Sequence, residues 1–189
     1  LDWYAGFNRV RTDFFNKNIA MEKFLPASTG VGTANSAGAA LIASAVAVKP
    51  KTESFTVQTV PSPQQSPASN YKSSFSRAVE ITCPTHRLLH ISGTASINSE
   101  GISVHRGDAA RQIEFTMQVI DALLKSRGMD WGDSFRGIAY FKDMKEEALF
   151  RSYCRERQMP GFPLSATCAT ICREELLFEI ELDAAKIAD

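Results

Sequence analysis

The chain has 189 residues, 44% hydrophobic and 22% charged, an ordinary globular profile with room for one domain and an appendage. Its 21 basic and 21 acidic residues cancel, which leaves no net positive field to draw nucleic acid. No apolar run is long enough to span a bilayer.

Residues 2–17 predict a helix, since Trp3, Phe7, Val10 and Phe14 recur at three- and four-residue spacing. Past Pro26, residues 28–33 are short, small and strand-compatible. A turn at Asn35, Ser36 and Gly38 leads to a second predicted strand, Leu41 to Val48, ended by Pro50. Residues 55–60 alternate as another strand. Residues 61–74 are rich in Pro and Ser and read as a mobile linker, the expected domain boundary.

A complete second unit follows. Residues 76–81 and 86–97 predict strands, the second carrying Gly93 where another backbone can approach. Asp108 is placed to cap a helix whose stripe is Ala110, Ile113, Met117, Ile120 and Leu124, and Gly128 to close it. Residues 135–141 predict a strand. Asp143 and Glu146 suggest a capping box for a helix burying Leu149, Phe150, Tyr153 and Cys154. Residues 165–172 and 176–183 predict a hairpin around Glu174 and Glu175. In its second strand, Leu176, Phe178, Ile180 and Leu182 point towards the helices, and Leu177, Glu179, Glu181 and Asp183 point away.

The segments "LPASTGVGTANSAGAALIASAVAVKP" and "FPLSATCATICREELLFEIELDAAK" each follow a helix and share a proline, a Ser/Thr-rich strand, a turn and an apolar strand. Coincidence is one explanation. The other is an internal repeat, in which residues 1–60 hold part of a first unit and residues 75–189 a whole second one. The first residue is Leu1 rather than Met, so the start is expected to be a processed, cloned or cut end. The fold class expected is α+β, a mixed sheet with two helices on one face plus a partial repeat.

Ile91-Ser92-Gly93, the helix "GDAARQIEFTMQVIDALLKSRGM" and the strand "LFEIELDA" resemble the YjgF/RidA family, across residues 75–184. The segments "LPASTGVGT", "FSRA", "ISGTASI" and "CREELLFEIE" are similar to the chorismatases, longer two-unit relatives that hydrolyse chorismate. RidA-type deaminases carry an Arg in a "PAR" setting at the fifth strand to hold a carboxylate. Here Phe162-Pro163-Leu164-Ser165 stands in its place, without the bidentate guanidinium.

The chorismatase resemblance implies Glu179 as the acid and Cys172 as the residue that helps decide the product, with Cys pointing to 3-hydroxybenzoate. By alternation alone Glu179 is a solvated strand residue. The acid role requires it to be covered by a second sheet, from this chain or a neighbour, so that desolvation keeps it protonated. Cys172 shares its face if the turn has two residues and is a buried structural thiol if it has three. Arg77, in "FSRA", is the first candidate for a substrate carboxylate, with Arg87, Arg106, Arg136 and Arg173 as alternatives. Gly93 and Ala95 would let substrate reach the strand backbone. His86, His90 and His105 have no ligand spacing, and His90 reads as a hydrogen-bonded core residue.

No cofactor and no metal is expected. Cys83, Cys154, Cys168 and Cys172 fit neither a disulfide framework nor a zinc site and read as reduced thiols of a cytoplasmic protein. The expected partner is a small carboxylate such as chorismate, with no nucleic acid and no membrane. The resemblance also implies self-association as a trimer.

Overall fold

The structure, a computed structural model, describes residues 4–18, 24–71 and 73–188. It is a mixed α+β fold. Helix α1 (Tyr4–Asn18) is followed by β1 (Thr56–Val60), β2 (Ala78–Thr82), β3 (His86–Ala95), α2 (Ala109–Ser126), β4 (Ser134–Phe141), α3 (Glu147–Glu156), β5 (Leu164–Cys168) and β6 (Phe178–Ile187). The strands form one sheet in the order β1-β2-β3-β6-β4-β5. All pairs are antiparallel except β4 with β5, which α3 joins as a crossover.

The core lies under α2 and α3. The α2 stripe of Ile113, Met117, Ile120 and Leu124 is buried against Leu89, Ile91, Ile180 and Leu182. Phe141, Phe150 and Phe178 meet at ring-centroid distances of 5.2 to 6.0 Å. Asp108 caps α2 by accepting from the Arg111 N–H at 3.0 Å. Gly128, at φ 65°, turns the chain away in the left-handed conformation. Among the described residues no helix is long and apolar enough to cross a membrane.

Several expectations change. The predicted hairpin of the last two strands does not form: β6 lies between β3 and β4, and β5 pairs only with β4. A crossover helix delivers β5 parallel to β4, so the chain must pass over the end of β4 to enter β6. Asp143 caps a 3-10 turn at Met144–Glu146 rather than α3, and Glu146 makes no capping box.

Residues 41–48 form no strand. They are exposed, with Val46 at 84%, and find no edge to pair with among the described residues. The predicted stripe of α1 holds only at half-buried Phe7: Val10 and Phe14 point outward, while Tyr4, Asn8, Arg11 and Thr12 border a cavity. Asp2 and Trp3 lie outside the described residues. β1, expected with the N-terminal unit, is the edge strand of this same sheet. The described residues of 61–74 pack against it, with Gln65 buried and donating to the Ala95 and Ile97 carbonyls at 3.0 and 2.7 Å.

Candidate active site

The register of β3 on β6 shifts between Ile91 and Thr94, which face Leu182 and Ile180. Ser92 and Gly93 thus oppose the single residue Glu181 in a β-bulge. A bulge releases groups from the ladder, and here they catch another part of the chain. The Ser28 N–H donates to Ser92 Oγ at 3.0 Å, and the Gly93 N–H donates to Thr29 Oγ1 at 2.9 Å. On one side of the bulge Ser76 binds the Leu25 and Pro26 carbonyls; on the other, Gly32 and Thr170 exchange two 2.7 Å hydrogen bonds. Residues 25–32 are therefore laid across the sheet face that α2 and α3 leave open.

Helix α1 docks beside this segment. Thr12 and Ser74 hydroxyls meet at 2.5 Å, Arg11 Nη1 donates to Ser28 Oγ at 3.3 Å, and Tyr4 lies over Gly30. The result is a cavity of about 860 Å³ whose wall includes Arg11, Tyr71, Arg77, Cys172, Arg173 and Glu179.

Glu179 is 4% exposed. Burial first, and repulsion by Glu181 second, push its carboxyl up to about 8 against the opposing pull of Arg77. It is a proton-bearing acid at neutral pH. The cover that strand alternation could not supply comes from residues 25–32 and α1 of the same chain, not from a second sheet.

Cys172 sits in the loop between β5 and β6, so neither turn length considered for a hairpin applies. Burial, then the neighbouring Glu179, push its thiol up to about 12. Cys168 is exposed outside the cavity. The loop is fixed by a residue the sequence reading passed over. Gln112 of α2, fully buried, donates to the Glu175 carbonyl at 2.9 Å and accepts from the Leu177 N–H at 2.8 Å.

Arg77 is 4% exposed, with Nε and Nη2 on the Ser66 carbonyl at 3.1 and 2.9 Å. Its guanidinium lies 5.4 Å from the Tyr71 ring centroid. Arg173 approaches the same ring at 5.2 Å and is held by Gly101 O and Ser103 Oγ. Gly93 and Ala95 complete the wall, so all five residues singled out from the sequence border one cavity.

The other candidate cations lie elsewhere. Arg87 pairs with Glu80, Arg106 with Glu175, and Arg136 with Glu181 and Asp183. His90 bonds Asp183 at 2.8 Å. Arg11, Tyr4 and Tyr71 were missed because their place on the cavity wall is entirely tertiary. No group of three or more His, Cys, Asp or Glu that could hold a metal ion occurs among the described residues.

No family model and no curated protein matches the sequence. Solved structures do match in shape. A protein described as an endoribonuclease L-PSP from Entamoeba histolytica is 18% identical, with a TM-score of 0.58 over 69% of this chain and 100% of its own. A YjgF/YER057c/UK114 family member from Mycobacterium tuberculosis is 23% identical, with a TM-score of 0.54 over 68% of this chain and 98% of its own. A chorismatase is 22% identical, with a TM-score of 0.55 over 68% of this chain but only 44% of its own. The six-stranded sheet with α2 and α3 on one face is thus the YjgF/RidA fold, and this chain carries it.

Proposed function

We propose that the chain is a hydrolase of the chorismatase type, cleaving the enolpyruvyl ether of chorismate to pyruvate and a hydroxybenzoate or dihydroxy-diene acid. One observation carries this reading: a buried carboxyl, protonated at neutral pH, borders a cavity rich in guanidinium groups. Protonating carbon is slow, and an acid held protonated near the working pH is what the step needs.

Glu179 gives its proton to the methylene carbon of the enolpyruvyl group, and the adjacent ether carbon becomes an oxocarbenium ion. Water adds there and loses a proton to the Glu179 carboxylate. The hemiketal then collapses: its hydroxyl gives up a proton, the bond from that carbon to the ring oxygen breaks, the ring oxygen takes a proton, and pyruvate and the dihydroxy-diene acid leave; the hydroxybenzoate forms only when the ring also loses one water. Arg77 faces a substrate carboxylate, and Gly93 and Ala95 allow approach to the strand. Cys172 stays a thiol at neutral pH, so it acts as a hydrogen-bonding neighbour that influences the product and not as a thiolate nucleophile.

A second reading is a small-ligand-binding YjgF-like protein without turnover. It is favoured by the 44% of the chorismatase that the chain spans. Imine deamination is disfavoured by residues 162–165, which lack the arginine. In either reading a trimer would cover the rest of the open sheet face, and sedimentation velocity tests it.

The deciding experiment mixes the purified chain with chorismate and follows pyruvate. Release that disappears in Glu179→Gln supports the hydrolase. Chorismate binding without release favours the second reading, and release undiminished in Glu179→Gln removes the acid assignment.

A further inference from the structure

We infer that helix α1 is a lid on the cavity: it swings away to admit a ligand while residues 25–32 stay in place. Such a lid governs entry for any ligand, whatever reaction follows.

Glu179 and Arg77 both border the cavity, and each is only 4% exposed. A ligand that touches them is far larger than the water that barely reaches them, so one wall has to give way. The sheet side is fixed, since Glu179 and Gly93 belong to the paired strands β6 and β3. The loop with Cys172 and Arg173 is tied to α2 by Gln112, at 2.9 and 2.8 Å. Gln65 donates to the Ala95 and Ile97 carbonyls, and the next residue, Ser66, accepts from Arg77. Residues 25–32 are held by main-chain bonds at both ends. The Ser76 N–H donates to the Pro26 carbonyl at 2.9 Å, and Gly32 and Thr170 exchange two bonds of 2.7 Å.

Helix α1 differs from these walls. None of its described residues is buried, and its Val10 and Phe14 face outward. Side chains tie it down: Thr12 meets Ser74 at 2.5 Å, and Arg11 reaches Ser28 Oγ at 3.3 Å. Other contacts of Arg11 lie within the helix, with Asn8 Oδ1 at 2.6 Å and the Phe7 ring centroid at 5.2 Å, and they travel with it. In the closed position Arg11 Nε is buried without a hydrogen-bond partner, a cost that water removes once α1 lifts. An element with so little buried apolar surface opens at a free energy well below that of the whole fold.

The test reads access to Cys172, which borders the cavity, against exposed Cys168, which does not. The full chain is treated with methyl methanethiosulfonate, and peptide mass spectrometry follows the slow modification of Cys172. A disulfide between Thr12→Cys and Ser74→Cys locks the lid, since hydroxyls 2.5 Å apart place the two side chains within bridging reach. Bridging should slow Cys172 at least about tenfold, because the rate follows the open population. Ser74→Ala, which keeps the α1 sequence and loses the tie, should speed it about two- to tenfold. Cys168 should react alike in all three proteins. Hydrogen exchange in the wild type should be faster in α1 than at the Gly32, Gly93 and Thr170 amides.

Three results would each overturn the lid: one rate of Cys172 modification in all three proteins, α1 amides as protected as those of α2, or α1 and Gly32 exchanging together, which would make helix and segment one unit. Where the bridge does not form, Ser74→Ala and the exchange rates decide. No substrate enters the test. Absence of pyruvate from chorismate therefore removes the hydrolase and keeps the lid, and a failed lid leaves the hydrolase to be judged by pyruvate release.

Discussion

Gly93 and Glu179 occupy a space that admits only one side chain. A Cβ built on Gly93 would lie 2.1 Å from Glu179 Oε1 and 2.8 Å from Thr29 Cγ2. The bulge that frees the Gly93 N–H for Thr29 also leaves the room into which the Glu179 carboxyl folds. The missing side chain of one residue therefore sets the position of the other.

Gly93→Ala should displace either the Glu179 carboxyl or the Thr29 wall, at a cost of about 1–3 kcal/mol. Urea denaturation should register the loss. The Glu179 carboxyl, followed by carbon-13 NMR, should titrate closer to an ordinary glutamate. An unchanged titration would mean that the enclosure does not depend on this contact.

Stability should fall with rising pH across the window set by Glu179. Its folded value is about 8 and its ordinary value 4.5, so between the two the unfolded chain has released a proton that the folded chain keeps. The unfolded state then binds fewer protons and the slope of unfolding free energy with pH is negative. The contribution is greatest below pH 4.5 and is lost by about pH 8. Denaturation at pH 5, 6, 7 and 8 should show this decline in the wild type and a flatter profile in Glu179→Gln. Activity that needs the protonated acid should fall above pH 8.

The thiols of Cys168 and Cys172 should separate cleanly under alkylation. Cys168 is exposed, while Cys172 is held as a thiol by burial and by Glu179. Iodoacetamide at pH 8 should label Cys168 first and leave Cys172 largely unmodified until the chain is denatured, as read by peptide mass spectrometry. Equal labelling would show that the cavity opens widely in solution.

Gln112 ties the loop carrying Cys172 and Arg173 to α2. Gln112→Leu should cost about 1–3 kcal/mol, because the Glu175 carbonyl and Leu177 N–H lose their partner. Hydrogen exchange should accelerate at Leu177 while α2 itself stays protected. Unaltered exchange at Leu177 would assign the loop's rigidity to other contacts.

Away from the cavity, Glu80 is 1% exposed and takes two hydrogen bonds from Arg127, at 2.9 and 2.6 Å. Glu80→Ala takes the acceptor from Arg127, whose side chain is 29% exposed and so reaches water, and should lose about 1–3 kcal/mol. Ligand binding at the cavity should be unchanged at temperatures where the variant is folded. Altered binding there would mean that β2 transmits strain to Arg77.

Much of the second unit was legible in the chain. The α2 stripe from Ile113 to Leu124, its Asp108 cap and the closing Gly128 are local signals and they hold, while Ala110, expected to begin the stripe, is exposed. The pairing of β6 was not legible. Leu164–Cys168 and Phe178–Ile187 look like hairpin arms in sequence, yet β4 stands beside both. Which strands become neighbours depends on the crossover by α3, and short-range patterning does not encode that choice. The inward face of α1 was misread for a related reason. Hydrophobic spacing selects the face that suits an apolar core, but α1 packs over polar groups such as Ser28 and Ser74, so Asn8, Arg11 and Thr12 turn inward.

By itself the sequence determined that Glu179, Glu181 and Asp183 share a strand face, that Gly93 offers close approach, and that Arg77 and Cys172 flank the unit in the chain. Those are consequences of the two-residue period of a strand and of covalent order. Only the tertiary structure decided that Glu179 is dry while Glu181 stays paired with Arg136 at the surface. Desolvation depends on what lies above a side chain, and here the cover comes from residues 25–32 and α1, some 150 positions away in sequence.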